Sequence, residues 1–374
     1  MPRSFPSLRS TTLALLATAL LVTTGLALAR PKKPAPDAAL ADDAPDVVTY
    51  GRRDDVMRFG AELAERRGLD AEWVQDALQR ARFVPLVTKF IMPPPAGSAK
   101  NWAAYRARFI DPVRVRAGAA FWRANEKWLE LAEELYGVPP EIVVGIVGVE
   151  TIYGQQMGNF RVVDALATLA FDFPTGRKDR SAFFRDELES FFVMCQSEGI
   201  DPLQQKGSFA GAMGMPQFMP SSFNKYAVDL DGDGHVDLRG NPADVIGSVA
   251  HYLAESGWRR GLPTRFEVAV PVATTDRAIL LAPDILPSFT LAEFAERGAQ
   301  LNAAAFAADV RLADAGGVGK LALVELQNGD AAPSYVAGTA NFYAVTRYNW
   351  SSYYALAVIE LGEAVAAELE RGAR

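Results

Sequence analysis

One glutamate, Glu150, follows the apolar residues Val147 to Val149 and has no lysine or arginine three or four positions away. The ion pair that usually neutralises a helical carboxylate therefore cannot form within its own helix. Burial and the negative end of a helix dipole both raise the pKa of such a carboxyl. A glutamic acid that keeps its proton near neutral pH can protonate a leaving oxygen, so we predict that Glu150 is a general acid. The alternative is a structural glutamate whose partner comes from elsewhere in the fold.

The residues before and after Glu150 predict the helix that must position it. Pro139 and Pro140 favour a helix start, because proline at the first helical positions loses no intrahelical donor. Apolar side chains follow almost all round the helix, which predicts that it is buried. Gly154 is the expected stop, so Glu150 lies in the last turn.

A second candidate site is the glycine-rich segment from Lys206 to Ser222. Small residues let a backbone approach a ligand closely, and Ser208 and Gln217 offer hydrogen-bonding groups beside apolar ones, as a sugar site requires. The segment lacks the glycine and lysine spacing of a phosphate-binding loop. The alternative is a tight connection between helices, packed by its methionines and Phe218.

A third segment, Asp229 to Asp237, resembles the first nine positions of an EF-hand calcium loop. Side-chain oxygens stand at positions one, three and five, glycine at six and a backbone carbonyl at seven. The predicted Ca²⁺ ligands in this run are Asp229, Asp231, Asp233 and His235.

This loop departs from the pattern at position twelve, where Gly240 replaces the bidentate glutamate. Asp244 is the natural substitute after a longer excursion. It also fits the first turn of a helix that Asn241 caps, and one carboxylate could serve both purposes. We predict a structural calcium site and no organic cofactor. The alternative is a turn rich in aspartate and glycine.

The composition argues against several classes of function. The formal net charge is −7 over 374 residues, and no basic run is interleaved with aromatics, so nucleic-acid binding is not supported. His235 and His251 are the only histidines, which gives little support to histidine-rich metal sites or histidine-based triads. Cys195, the only cysteine, is expected to be a buried core thiol. Catalysis should therefore rest on carboxylates or hydroxyls.

The N-terminus predicts export. Residues 1–29 combine basic residues, an apolar run and the small-residue pattern Ala27-Leu28-Ala29. An uncleaved membrane anchor is the alternative, because the apolar run approaches spanning length. Residues 30–46, rich in proline, alanine and aspartate, predict a flexible tether.

The hydrophobic patterns predict a mainly α (α+β) fold. Residues 47–117 form a helical N-terminal region in which Asp70 caps the second helix, and residues 118–262 continue as a helical core. A change of period marks a small β-rich insert at residues 263–337, and residues 338–374 return to the core with an alanine-rich helix. The segments predicted as strands are residues 265–270, 321–326 and 335–347.

Taken in this order, these features resemble the family 3 lytic murein transglycosylases from about residue 50 to the C-terminus. The resemblance implies a lysozyme-like core over residues 118–262, carrying the EF-hand-like loop. The segments that carry it are Val149-Glu150-Thr151 with Tyr153-Gly154, residues 164–169, residues 207–222, the calcium loop, residues 246–250 and Thr346-Arg347-Tyr348-Asn349.

The resemblance also implies an activity on the glycan strands of peptidoglycan. Such enzymes cleave the β-1,4 bond between N-acetylmuramic acid and N-acetylglucosamine without water, which leaves 1,6-anhydromuramoyl ends. Glu150 matches the single catalytic residue, acting first as acid and then as base. Two carboxylates are usual in glycoside hydrolysis, but here the substrate supplies the nucleophiles. The sugar-binding positions that carry over are Tyr105, Ser208, Gln217, Phe218, Tyr252, Tyr348, Asn349 and Tyr354.

The chain departs from the family's best-known member at three points. Met215-Pro216 replaces a tyrosine-glycine pair and Trp350 replaces a histidine, which leaves the preference among sugar subsites open. No cysteine for lipid attachment follows the signal, which favours a soluble periplasmic form. We expect a monomer; partner proteins of cell-wall synthesis or division stay unknown.

Two rival functions remain. A hydrolytic muramidase with the same core would need a second carboxylate to hold water, and Asp164 and Asp172 lie downstream of Glu150. Asp164 is instead expected to cap a helix that begins at Ala165. A non-catalytic peptidoglycan-binding protein is the other alternative, and the presence of Glu150 in its full motif disfavours it.

Overall fold

The computed structural model describes residues 48–93 and 100–372. The predicted signal peptide and tether lie outside these residues. The structure is 56% helical with few strands, which confirms the mainly α (α+β) class. None of the helices in the described part combines the length and apolar character that a membrane crossing requires.

Sixteen α-helices lie within the described residues, with short 3₁₀ helices at Tyr50–Arg52 and Ala313–Ala315. The α-helices are α1 (Asp54–Arg67), α2 (Ala71–Gln79), α3 (Pro85–Phe90), α4 (Trp102–Arg106), α5 (Pro112–Ala124), α6 (Glu126–Tyr136), α7 (Pro140–Thr151), α8 (Val162–Phe171), α9 (Ser181–Ser197), α10 (Pro220–Tyr226), α11 (Pro242–Glu255), α12 (Thr274–Leu281), α13 (Leu291–Glu296), α14 (Ala303–Arg311), α15 (Ala340–Asn349) and α16 (Ser352–Gly372).

Six strands in the described part form two antiparallel sheets, one of two strands in the order β1-β2 and one of four in the order β4-β3-β6-β5. The strands are β1 (Phe160–Arg161), β2 (Lys206–Gly207), β3 (Arg265–Ala269), β4 (Gln300–Leu301), β5 (Ala322–Asn328) and β6 (Ala331–Gly338).

The described residues divide into two compact units. The smaller unit contains residues 48–93 and 157–225, and the larger unit contains residues 100–156 and 226–372. The division at residues 117, 262 and 337 that the sequence predicts follows local patterns and stays a prediction.

The smaller unit is built around α8, which is buried along almost its whole length and packs against α9. Helices α1 and α2 pair beside them. Asp70 caps α2 as predicted, since its side chain accepts a hydrogen bond from the Trp73 amide at 2.9 Å. Strand β2 joins the glycine-rich segment to β1, with Gly207 opposite Phe160.

The larger unit is built around α7, whose apolar side chains face neighbours on every side: α5, α6, α11 and α16 all contact it. Pro140 begins this helix, as predicted. Nine of its twelve residues are buried, so its position is fixed by packing rather than by its own helix propensity.

Glycine makes the closest approach between α7 and α16. A Cβ on Gly145 would overlap the carbonyl oxygen of Val358, and a Cβ on Gly362 would overlap the carbonyl oxygen of Glu141. The two helices therefore meet backbone to backbone, at a separation that no larger residue allows. This contact sets how side chains at the end of α7 meet those at the start of α16.

The four-stranded sheet forms a small β-containing region with its own core. Phe266 on β3 and Leu323 on β5 both stand opposite Ala337 on β6. Leu280 of α12 and Phe294 of α13 are fully buried in the same cluster. The predicted β-rich insert is confirmed, and β3 and β5 form where the sequence predicts them.

The third predicted strand, residues 335–347, is wrong in its second half. Strand β6 ends at Gly338, and α15 follows, with the Thr339 side chain accepting a hydrogen bond from the Asn341 amide at 3.0 Å. Phe342, Val345 and Thr346 are buried at helical spacing. Their aromatic and β-branched side chains favour strands, but burial of one helical face outweighs that preference.

Candidate active site

Glu150 lies in the last turn of α7, and its carboxyl meets a hydroxyl from the start of α16. The Tyr354 Oη atom donates a hydrogen bond of 2.6 Å to Glu150 Oε1. No lysine or arginine among the described residues of the larger unit forms an ion pair with Glu150. Tyr354 itself is only 1% exposed, so the position of this hydroxyl is fixed by the core.

The surroundings of Glu150 favour its protonated form. Burial raises the pKa of its carboxyl from 4.5 to about 7, and the hydrogen bond from Tyr354 opposes part of that rise. The residue is nevertheless partly exposed, so a substrate atom can reach it. The raised pKa and the partial exposure of Glu150 are the properties that a general acid needs near neutral pH.

Tyrosine rings extend from Tyr354 in a connected row. Tyr348 stacks on Tyr354 with ring centroids 6.1 Å apart, and Tyr252 meets Tyr348 edge to face at 4.8 Å. Tyr226 meets Tyr252 at the same distance. The Tyr252 Oη atom donates a hydrogen bond of 2.8 Å to the carbonyl of Arg347, which ties α11 to α15. Such rings offer a face for a sugar and a hydroxyl for its polar groups.

Tyr105 of α4 lies near Glu150 in a second aromatic group. Burial and, to a lesser extent, the charge of Glu150 raise the pKa of Tyr105 to about 12. Its ring stacks on Trp102 at 6.2 Å and contacts Phe109 at 5.1 Å and Tyr353 at 5.7 Å. Sequence analysis missed Trp102, although its spacing of three residues from Tyr105 places both on one face of a helix.

The predicted sugar-binding residues fall into both units. Tyr105, Tyr252, Tyr348, Asn349 and Tyr354 lie in the larger unit with Glu150, and Asn349 is buried at the end of α15. The remaining three, Ser208, Gln217 and Phe218, lie in the smaller unit.

Two polar side chains of the glycine-rich segment make their hydrogen bonds within the smaller unit, and Gln217 reaches the carbonyl of Met157 at 3.3 Å. The Ser208 Oγ atom accepts hydrogen bonds from the amides of Ala210 and Ala212, at 3.2 and 3.0 Å. The Gln217 side chain donates to the carbonyl of Gly214 at 2.9 Å, and its φ of 52° is left-handed. Phe218 is 2% exposed. The sugar contacts expected here stay predictions.

Helix α7 ends earlier than expected, because the left-handed turn begins at Ile152 and Tyr153, ahead of Gly154. Their φ angles are 50° and 53°, in the left-handed region that side chains disfavour. Each such residue costs about 1–3 kcal/mol, and such strain concentrates at functional sites. The strained pair begins two residues after Glu150.

Asp164 and Asp172, the candidates for a second catalytic carboxylate, are both engaged within the smaller unit. Asp164 does not cap its helix, because α8 begins at Val162; it pairs with Arg161 at 2.7 Å and accepts a hydrogen bond from the Arg82 amide. Asp172 pairs with Arg53 at 2.8 Å and accepts a hydrogen bond of 2.6 Å from Tyr50 Oη.

The EF-hand-like loop brings three carboxylates together. Oxygens of Asp229, Asp231 and Asp244 all lie within 4.8 Å of one another. Asp244 is 0% exposed and accepts hydrogen bonds from the amides of Leu230 and Asp237, at 3.0 and 2.8 Å. Burial, and to a lesser extent the neighbouring aspartates, raises the pKa of Asp244. This donor set of hard oxygens around a buried carboxylate suits a divalent cation such as Ca²⁺.

The other two predicted Ca²⁺ ligands, Asp233 and His235, are not part of this group of three carboxylates. The Asp233 Oδ1 atom accepts a hydrogen bond from the His235 amide at 2.9 Å. Asn241 caps α11 as predicted, since its side chain accepts from the Ala243 amide at 3.0 Å, and Asp244 stands in the first turn.

Comparisons with known proteins identify the family of this chain. The family model described as "Transglycosylase SLT domain" matches residues 51–363. Membrane-bound lytic murein transglycosylase B of Escherichia coli (strain K12) is 39% identical over 325 residues, which cover 85% of this chain and 84% of that protein.

Two solved structures have the same fold. The Escherichia coli lytic transglycosylase Slt35 in complex with calcium matches with a TM-score of 0.70 and 38% identity, over 84% of this chain and 94% of that one. SltB3 from Pseudomonas aeruginosa, in complex with NAG-anhNAM-pentapeptide, matches with a TM-score of 0.69 and 30% identity, over 85% of this chain and 80% of that one. The chain therefore belongs to the lytic murein transglycosylases, the peptidoglycan-cleaving lyases that carry the transglycosylase SLT domain.

Proposed function

We propose that this enzyme cleaves the β-1,4 bond between N-acetylmuramic acid and N-acetylglucosamine without water and leaves 1,6-anhydromuramoyl ends. The observation that carries the proposal is the Glu150 carboxyl, whose pKa burial raises to about 7 and which accepts a hydrogen bond from the Tyr354 hydroxyl. A relative bound to an anhydromuramoyl peptide supports the same product class.

In the first step, Glu150 gives its proton to the glycosidic oxygen as the bond from that oxygen to C1 of the muramoyl residue breaks. Tyr354 donates to Oε1, so the acid proton belongs on Oε2. The same hydrogen bond stabilises the carboxylate that remains. The acetamido group of the substrate supports the positive charge at C1.

In the second step, the ionised Glu150 takes the proton of the muramoyl C6 hydroxyl while that oxygen attacks C1. The carboxyl returns to its starting state, and the product holds an internal ether in place of an added water. One carboxyl is sufficient because it acts as acid and then as base on the same face. The engagement of Asp164 and Asp172 in ion pairs disfavours a water-holding base and hence the muramidase alternative.

The products distinguish the two reactions when purified peptidoglycan is digested in water enriched in heavy oxygen. We expect muropeptides lighter by one water than hydrolytic products, with no heavy oxygen in the muramoyl ring. Reducing ends that carry the label would establish a muramidase instead. If no muropeptide is released, the binding-protein alternative would be favoured.

Around this activity, we propose a monomer that acts on glycan strands in the periplasm after export by the segment at residues 1–29. The proposed sugar contacts in the larger unit are Tyr105, Tyr252, Tyr348, Asn349 and Tyr354. Those proposed in the smaller unit are Ser208, Gln217 and Phe218.

The proposal includes a Ca²⁺ ion held by Asp229, Asp231 and Asp244, with Asp233 and the His235 carbonyl as further ligands. When bound, the ion supplies positive charge that offsets the buried carboxylate, and it takes no part in the reaction. A relative's complex with calcium supports this assignment.

Removal of calcium is expected to lower the melting temperature clearly and to leave turnover, measured well below that temperature, much less affected. The reason is that the ion stabilises the folded state through binding alone. Thermal unfolding with a chelator, and again after excess Ca²⁺ is restored, measures the first effect; turnover well below the melting temperature measures the second. Asp244→Asn is the matched control, since its melting temperature should respond little to the chelator. A parent melting temperature that the chelator leaves unchanged would count against the site.

A further inference from the structure

We propose that Tyr153 is a positioning residue for Glu150: its ring, wedged between Gly118 and Gly148, holds the left-handed turn that ends α7 directly after the acid. The inference rests on the proposed role of Glu150. In this proposal Tyr153 fixes the orientation of the Glu150 carboxyl and does not itself touch the substrate.

The turn needs an outside constraint. Ile152 and Tyr153 are consecutive left-handed residues, and neither is glycine. A β-branched side chain such as that of Ile152 is a clear outlier there. Such a conformation persists only when the surrounding packing over-determines it. The Tyr153 side chain supplies such packing.

The Tyr153 ring occupies a slot that two glycines leave open. A Cβ on Gly118 of α5 or on Gly148 of α7 would overlap the Tyr153 hydroxyl. Val365 and Leu361 of α16 close the same slot, and the ring stacks on Phe121 with centroids 5.3 Å apart. The Tyr153 side chain thus packs against three helices, α5, α7 and α16. Helix α16 also carries Tyr354.

The hydroxyl of Tyr153 makes no hydrogen bond to the described residues in this position. The Oη atom is buried. A buried donor without a partner is unfavourable, so the packing of the ring, and not a hydrogen bond, must stabilise this position. The packing of the aromatic ring, rather than a hydrogen bond of the hydroxyl, is therefore what we infer holds the turn.

A second contact holds the same end of α7. The buried Arg114 donates from Nε to the carbonyl of Gly148 at 3.1 Å, which places a positive charge at the C-terminal end of the helix. Gly148 is therefore fixed through its carbonyl by Arg114 and through its Cα face by Tyr153. Glu150 stands two residues further on, where small rotations of the helix end would move its carboxyl away from Tyr354.

The test replaces the wedge and reads the state of Glu150 itself. Tyr153→Leu empties the slot, and we expect kcat to fall about a hundredfold with little change in KM, since a displaced reacting group has such an effect. The Glu150 carboxyl should also gain water, so its pKa should fall from about 7 toward its ordinary value. Isotope-edited NMR of the glutamate carboxyls measures that pKa, with Glu150→Gln identifying the signal. Tyr153→Phe, which keeps the wedge, should restore both kcat and the pKa.

A matched control separates positioning from general stability. Phe294→Leu removes a fully buried ring from the core of the β-containing region. It should lower the melting temperature and leave kcat and the Glu150 pKa unchanged at temperatures well below unfolding. Tyr153→Leu with the parent's kcat and pKa would overturn the inference, and so would a lower melting temperature without a shift of that pKa.

Two further outcomes are informative. If Tyr153→Leu does not fold, Gly148→Ala retains the tyrosine but intrudes on the slot, and the same fall in kcat and pKa is expected; an unshifted pKa there would overturn the inference. If the parent forms no anhydromuramoyl product, the proposed function fails, while the NMR titration still decides whether Tyr153 positions Glu150.

Discussion

Glu150→Gln is expected to lower kcat on purified peptidoglycan by about two to four orders of magnitude, the usual contribution of general acid–base catalysis. Glutamine has the same shape, and its amide oxygen can still accept the hydrogen bond from Tyr354. It can neither give a proton to the glycosidic oxygen nor take one from the C6 hydroxyl. Both steps of the proposed reaction are therefore lost together, and release of anhydromuropeptides, followed by mass spectrometry, measures the loss.

Glu141→Gln is the matched control for this variant. Glu141 lies at the other end of α7, and burial raises the pKa of its carboxyl as well. We expect this variant to keep the parent's kcat, because its carboxyl is about 13 Å further along the helix axis from Glu150 at 1.5 Å per residue. If Glu150→Gln retained kcat within about tenfold of the parent, the proton donor would have to be another group.

The second large effect of Glu150→Gln is on stability: the substitution that lowers kcat is expected to raise the free energy of unfolding at neutral and higher pH. The pKa of Glu150 rises from 4.5 to about 7 on folding, so between these values the folded state holds a proton that the unfolded state has lost. Its contribution to stability is fully present below about pH 4.5 and is lost as the pH rises through about 7. At about pH 8 the loss reaches at most about 3 kcal/mol, since one unit of pKa corresponds to about 1.4 kcal/mol and the carboxyl is partly exposed.

Glu150→Gln removes this titration. We expect the variant to match the parent's free energy of unfolding near pH 4 and to exceed it by up to about 3 kcal/mol near pH 8. Denaturant unfolding of both proteins across this range measures the difference, and other titrating groups cancel in the comparison. Parallel curves for the two proteins would mean that folding leaves the pKa of Glu150 near 4.5. The residue that we propose as the catalytic acid is thus expected to destabilise the enzyme at neutral pH.

The local sequence predicted the helix that carries Glu150 and the lack of a cation beside it, because both depend on short-range features. Apolar residues at helical spacing and the absence of a nearby cation are visible within a few positions. Tyr354 lies 204 residues away, and no spacing rule connects it to Glu150; only the family resemblance indicated it. Residues from distant helices become neighbours through packing, which the pattern of one segment does not contain.

The errors have the same physical origin. The sequence places the end of α7 at Gly154, since glycine adopts left-handed angles freely, but the left-handed turn begins two residues earlier, at Ile152. Residues 340–349 favour strands by composition, yet one buried face makes them a helix. Aspartate is a common helix cap, but the Asp164 side chain forms an ion pair with Arg161 instead of capping a helix.

The glycine contact between α7 and α16 has a consequence for the time at which the enzyme becomes active. A chain is made from its N-terminus, so the segment with Glu150 emerges long before the one with Tyr354. Until Gly362 settles against the carbonyl of Glu141, the acid has no hydroxyl partner. A chain without its last helix therefore lacks the Tyr354 hydroxyl that meets Glu150, so the proposed acid and its partner come together only once α16 has packed.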